Sequence, residues 1–471
     1  MPNAKSFNAT VTPFHQQVQA VFGQVSLAYK EAIFLEATGR NDWFSSLPGS
    51  HAVFYPSVGL SGIISDLVTL PQAISFLKVN ANFAVVGNGG LPYISNLSYI
   101  FQPGAGNGFL YRTKTQPIED LKPEEVTNIE VGFDARFLEG RAGLTFAYYK
   151  SNSRNQLLEA PQPVGTGYEK RYFNAGNIQN QGIEAIVNAT PVKSGDFTWD
   201  IQYNFGLNRN KVIEIDPDRP NNPFFLGGGT GYGRLATPIA IEGGSYGDLY
   251  GKHWVRNDDG QLVVTPNGLP TTDGQHTRLG NFNPKATMGL TNSFTYKNLS
   301  ARVLIDGRIG GIVVDATEMN LAFSGITEAT ADHREEGWNL GGVNAEGTPV
   351  TTNVTAQQFW SAGDNVTSGQ RYGVGELFTY DATSFRIREL SIGYNIPVPS
   401  NFFIRTAKFS LVARNLAWLY RGESILDVPG LGKRKMQIDP DMSMGNGNYQ
   451  GIQMSTLPST RSLGCNLTLT F

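Results

Sequence analysis

Cysteine is all but missing: Cys465 is the only one in 471 residues. No intrachain disulfide and no cysteine-held metal cluster can form from a single thiol. Charge is scarce as well. Asp, Glu, Lys and Arg make up 16% of the chain and nearly cancel, at a net charge of −3. A nucleic-acid binder that works by bulk positive charge is excluded. Histidine is rare, and His15, His51, His253, His276 and His333 are scattered through stretches that read as loops. None has the HExxH spacing of a metal-dependent hydrolase. No apolar run approaches the roughly 18 residues of a membrane-spanning helix, which leaves strands as the only way across a bilayer. The first residues, MPNAKSFNATVTPF, lack the apolar core of a signal peptide. The chain therefore either stays in the cytoplasm or begins inside a longer protein.

What is abundant is glycine, 54 residues, and aromatic residues at 11%. The stretch 197–207, FTWDIQYNFGL, shows how the rings are used. Phe197, Trp199, Ile201, Tyr203, Phe205 and Leu207 fall on one face of a period-two strand, and Thr198, Asp200, Gln202, Asn204 and Gly206 on the other. Such alternation suits a strand between apolar and wet surroundings. Its length matches the roughly 9–11 residues that cross a bilayer at a tilt. The pattern returns along the chain, as at 21–29, 33–37, 53–64, 77–85, 129–137, 144–148 and 183–189. It returns again at 288–296, 301–305, 384–396, 409–413 and 463–471, for about thirteen strands. In 384–396 the apolar positions switch from odd (Phe385, Ile387) to even (Leu390, Ile392), which predicts a bulge near Arg388 and Glu389. Trp43 and Trp418 lie near strand ends and are expected in an interfacial aromatic belt.

The connections alternate between short turns and long segments, the latter predicted at 42–52, 87–125, 151–179, 211–285, 311–383 and 420–459. Long loops at every second connection all fall at one end of the sheet, as in outer-membrane barrels. A soluble sandwich has no reason to sort its loops this way. The expected fold is all-β, a transmembrane antiparallel β-barrel.

Several stretches resemble the SusC/RagA family of TonB-dependent outer-membrane transporters of Bacteroidetes. They are YKEAIFLEATGRND from Tyr29, FYPSVGLSGIISD from Phe54, LKPEEVTNIEVGFDARF from Leu121 and NAGNIQNQGIEAIVNATP from Asn174. TSFRIRELSIGYNIP from Thr383, LVARNLAWL from Leu411 and STRSLGCNLTLTF from Ser459 complete the set. The resemblance implies location in the cell outer membrane, within a barrel of about 22 strands around a plugged lumen. It also implies TonB-driven uptake of an oligosaccharide or peptide, and a SusD-like lipoprotein as a lid. Nothing in the chain resembles the plug domain, the TonB box or the first barrel strands. TonB would be reached through that missing N-terminal region. Residues 1–471 are thus expected to be the C-terminal part of the receptor barrel, with residues 1–20 an extracellular loop remnant and strands from about residue 21. Such a piece predicts an open sheet with an unpaired edge at each end.

No catalytic constellation emerges, and the chain is expected to be neither an enzyme nor the carrier of a cofactor or metal. The glycines of LGGGTGYG, at 226–233, lack the strand, helix and lysine of a phosphate cradle. Asp439, Asp441, Ser443, Gly445 and Gly447 have part of a calcium loop's spacing, but Gln450 stands where the last carboxylate belongs. Asp332, His333, Arg334, Glu335 and Glu336 read as a solvated loop. The candidate ligand-binding residues are the loop aromatics Tyr246, Tyr250, Trp254, Trp338 and Trp360, with Asp248 as an acceptor for hydroxyls. Partners expected from the residues and the resemblance are outer-membrane lipid, the sugar or peptide substrate, the lid and TonB, and no nucleic acid. The alternative is a soluble or surface-anchored β-rich glycan-binding module. It requires Phe197, Trp199, Ile201, Leu144 and Phe146 to pack into a closed core instead of a lipid-facing belt.

Overall fold

The structure is a computed structural model and describes residues 14–47, 52–102, 108–216, 219–220, 222–226, 235–361, 373–400, 402–443 and 447–471. Expectations that fall on residues 1–13, His51, the glycines at 227–233 and Gly445 lie outside these residues. Thirteen strands form one antiparallel wall in chain order. They are β1 (Val18–Tyr29), β2 (Ile33–Phe44), β3 (Ala52–Ile63), β4 (Ile74–Asn88), β5 (Glu124–Phe137) and β6 (Ala142–Pro161). Then come β7 (Lys170–Ser194), β8 (Phe197–Glu214), β9 (Ala286–Tyr296) and β10 (Leu299–Ile309). The wall ends with β11 (Ser384–Ile396), β12 (Thr406–Arg421) and β13 (Ser462–Thr470). Among the described residues β1 pairs only with β2, and β13 only with β12. Every residue of both strands is exposed, so the wall is open at these edges.

Register fixes which residues share a face. One apolar row runs Tyr29–Ile33–Gly62–Val79–Phe133–Phe146. It continues Ala185–Phe205–Met288–Gly307–Phe385–Tyr420. The row starts beside a short turn at β1 and ends beside a long loop at β12. That climb is the stagger that tilted barrel strands require. Neighbouring rings on this face stack, Phe133 on Phe146 at 5.5 Å and Trp199 on Phe294 at 5.9 Å. None of Phe197, Trp199, Ile201, Leu144 and Phe146 is buried. They form a belt, as a lipid-facing wall requires, and not the closed core that a soluble module would need. The opposite face carries rows such as Asp134–Thr145–Ile186–Asn204–Gly289–Asp306–Arg386. Gly289 is needed there: a Cβ would lie 2.4 Å from Asn204 Oδ1.

The expected bulge is present. Leu304 pairs with Glu389 and Ile305 with Ile387, leaving Arg388 as the extra residue. Two expectations need correction. The predicted loop at 151–179 is mostly strand, because β6 runs to Pro161 and β7 starts at Lys170. These extensions project beyond the membrane, where both faces are wet and nothing enforces apolar alternation. Similarly, β1 begins at Val18, inside the expected loop remnant.

The connections at 30–32, 64–73, 138–141, 195–196, 297–298 and 397–405 lie at one rim. Three of these turns place non-glycine residues at positive φ: Lys30 and Glu31 (51° and 53°), Leu138 and Glu139 (52° and 56°), and Lys297 (51°). At the other rim the connections between β8 and β9, β10 and β11, and β12 and β13 fold into a body with its own core. Its buried residues include Leu249, Trp254, Val314, Met319, Trp338, Val354, Phe359, Trp360 and Phe378. Two helices belong to it, α1 (Ala316–Phe323) and α2 (Ala356–Ser361).

Candidate functional site

The long-loop rim holds every residue singled out as a candidate ligand contact. Trp254, Trp338 and Trp360 are only 4%, 6% and 2% exposed. They converge on Phe359, with centroids 5.6, 5.0 and 5.1 Å away. Trp338 Nε1 donates to the Pro429 carbonyl at 2.8 Å. Stacking a sugar needs an open ring face, and these rings spend theirs on one another. The expectation that they contact ligand is therefore corrected: they are the core of the loop body. Nothing in their sequence spacing distinguishes a ring turned inward from one turned outward.

Asp248 is 2% exposed and accepts from Arg278 Nη2 at 2.9 Å, Asn281 Nδ2 at 2.8 Å and the Ser245 amide at 3.2 Å. Its oxygens hold the loop hairpin together and are not free for hydroxyls. Tyr246 is half-buried, edge-on to Phe282, and its hydroxyl donates to Asn448 Oδ1 at 2.7 Å. It borders a cavity of about 330 Å³ lined by Leu157, Ile215, Phe224 and Phe225 among others. Tyr250 borders a separate cleft of about 580 Å³ with Gln179, Gln181, Arg209, Lys211 and Arg278. Of the expected set, Tyr246 borders the first cavity, and Tyr250 and Asp248 border the second, Asp248 with its oxygens already engaged.

A third cavity, also about 580 Å³, lies between α1 and the segment 431–438. Its wall holds a buried polar chain: Tyr380 bonds Glu318 at 2.5 Å, and Arg434 Nε donates to Glu318 at 3.0 Å and to the Tyr380 hydroxyl at 3.2 Å. Burial and the Glu318 charge push the Tyr380 hydroxyl well above its ordinary range. Asp315 caps α1, accepting from the Glu318 amide at 2.9 Å. Burial pushes its carboxyl from 3.8 up to about 6. Folding thus favours the protonated form. The penalty is absent below the ordinary 3.8, grows as pH rises and is complete above about 6. Its full size is about 3 kcal/mol. Amide exchange in α1, corrected for intrinsic rates, should speed up between those limits. Asp315→Asn, which keeps the capping oxygen, should flatten that dependence, and an unchanged slope would contradict the assignment.

The site that sequence reasoning missed is ionic. Arg386 donates to Asp306 at 3.1 Å and to Asp439 at 2.6 Å, and also pairs with Asp441. Arg388 pairs with Asp306, and Arg308 Nη1 reaches Asp441 at 3.4 Å. The side chain of Arg386 is 6% exposed and that of Asp439 4%. Asp439 and Asp441, whose spacing resembles part of a calcium loop, are thus neutralised by guanidinium groups of the wall. No metal-competent cluster of three His, Cys, Asp or Glu occurs among the described residues. Trp418 is corrected as well: it faces inward, 4.9 Å from the Arg386 guanidinium, not out into an aromatic belt. The bulge at Arg388 is what brings both arginines to the inner face.

A tilted wall, apolar outside and polar inside, with folded loops on one rim, defines an outer-membrane β-barrel. The family model described as TonB dependent receptor-like, beta-barrel, matches residues 2–416, and the chain belongs to that family. Its barrel is of the SusC/RagA type. TonB-dependent receptor P3 of Formosa agariphila is 24% identical over 97% of this chain and 46% of its own length. SusC of Bacteroides thetaiotaomicron, also a TonB-dependent receptor, is 24% identical over 72% of this chain and 34% of its own. The fold is shared with the solved RagAB peptide transporter at a TM-score of 0.69 and 17% identity, over 100% of this chain and 50% of the other. The chain spans about half the length of TonB-dependent receptors P3 and P26 of Formosa agariphila.

Proposed function

We propose that the chain forms wall and extracellular loops of a TonB-dependent importer that carries an oligosaccharide or peptide across the outer membrane, without bond chemistry. The observation that carries this reading is the sorting of the molecule: long loops at one rim, three of them folded into one body, above a wall polar on its inner face. In this reading a SusD-like lipoprotein closes over the loop body, and TonB acts through a region outside this chain. Tyr246 and Tyr250, beside their cavities, are the best placed of the loop aromatics to meet substrate. RagAB, whose fold the chain shares, is a peptide transporter, which supports a peptide, and the resemblance to the SusC/RagA family leaves a sugar equally open. Uptake of labelled oligosaccharides and peptides by cells with and without the gene tests the reading. Loss of uptake of one class upon deletion is the expected result, and unchanged uptake of both would overturn it. A soluble glycan-binding module is disfavoured by the exposed belt. The protein should stay with the membrane pellet through alkaline washing, and recovery in the aqueous phase without detergent would reject the transport reading.

A further inference from the structure

The apolar outward face does not fade evenly toward the long-loop rim. In one sector it gives way to cations. The row Val131–Tyr148–Ile183–Leu207 is apolar, and the next row up is Ile129–Lys150–Gln181–Arg209. Above it comes Thr127–Asn152–Gln179–Lys211, then Glu125–Arg154–Asn177. Because side chains alternate strictly, Lys150, Arg154, Arg209 and Lys211 lie on the same face as the lipid-facing Phe146 and Phe205. All four are exposed. None has an ion-pair partner among the described residues, whereas Arg278, at the edge of the same cleft, is held by Asp248. Arg209, Lys211 and Arg278 line one wall of the cleft of about 580 Å³, with Gln179, Gln181 and the Tyr250 ring. The acids on this face are Glu125, cross-strand from Arg154, Glu214, further toward the loops, and the already paired Asp248.

The geometry points to a docking surface for the phosphate groups of outer-leaflet lipid, formed by Lys150, Arg209 and Lys211 with the cleft beside them. Two residues of strand rise by about 7 Å, so these cations stand just above the hydrocarbon edge, at headgroup level. What lies against an outward face at that height is lipid headgroup. Unpaired cations beside an anionic layer are attracted to it, and the attraction dies away within a Debye length. Continuity with the lipid-facing belt distinguishes this surface from one meant for a soluble partner. The two glutamines add donors that suit phosphate oxygens and also glycolipid hydroxyls.

The test uses the protein purified from outer membranes in mild detergent. Native mass spectrometry would follow its retention of phosphorylated lipid A and of the same lipid after phosphatase treatment. The wild type is expected to retain the phosphorylated form at least tenfold better. The triple variant K150Q/R209Q/K211Q should lose that preference, and the charge-keeping K150R/R209K/K211R should keep it. Heat-modifiable migration in gels confirms that each variant is folded. Equal retention of the two lipids by the wild type would overturn the proposal, as would an undiminished preference in the glutamine variant. Displacement by an equal concentration of inorganic phosphate would mark a free-anion site and overturn the assignment to lipid.

Discussion

Phe146→Arg is expected to destabilise the barrel by about 2–4 kcal/mol and to sharply reduce its level in the outer membrane. Phe146 sits within the apolar row, cross-strand from Phe133 and Ala185, with its ring 5.5 Å from that of Phe133. No bulk water reaches that level of the outer face, so a guanidinium there must snorkel along the wall or thin the bilayer around it. The comparison that isolates the cause is Thr145→Arg. Thr145 is the adjacent residue on the same strand, and it belongs to the inner row between Asp134 and Ile186. Facing water, its replacement should change stability by well under 1 kcal/mol, the usual scale for a solvated surface change. The folded fraction after urea titration in lipid vesicles measures both. Equal tolerance of the two substitutions would mean that lipid does not contact the odd-numbered face of β8 and its partners.

The second large effect concerns the attachment of the loop body. Arg386→Met keeps much of the volume and removes the charge. It leaves Asp439 buried without its closest cation, and Asp306 and Asp441 with one fewer. Breaking a buried pair from one side costs about 3–5 kcal/mol, because the remaining charge has lost its compensation. The loss should fall on the docking of residues 436–443 and not on the wall, whose ladder bonds are untouched. Faster amide exchange or proteolysis confined to that segment is the expected reading. Arg386→Lys should recover only part of the docking. An ammonium cannot reach Asp306, Asp439 and Asp441 in the forked geometry of a guanidinium. Uniform destabilisation of strands and loop together would instead show that the cluster holds the wall.

The two effects separate what could be read from the linear chain from what could not. The alternating stretch 197–207 gave β8, its outward face and its lipid contact, because a bilayer imposes a period of two on any strand that crosses it. The register switch in 384–396 likewise located the extra residue Arg388. Where that constraint ends, reading fails. The upper half of β7, with Asn174, Gln179 and Asn180, pairs with β6 as the lower half does, yet its apolar residues no longer alternate with polar ones. Loop aromatics were legible as a population and illegible as individuals. Trp338 and Trp360 are core residues, and Tyr250 lines a cleft, for reasons that lie in segments far away in sequence.

Local order along the chain therefore determined the strand pattern, the sorting of long and short connections and the side that meets hydrocarbon. These follow from a solvent that acts on each strand separately. The core of the loop body, the clamp of Arg386 on Asp306, Asp439 and Asp441, and the gathering of Lys150, Arg209 and Lys211 were decided only by tertiary structure. Each joins residues whose contact depends on how several strands are staggered at once, and no single stretch of sequence carries that stagger.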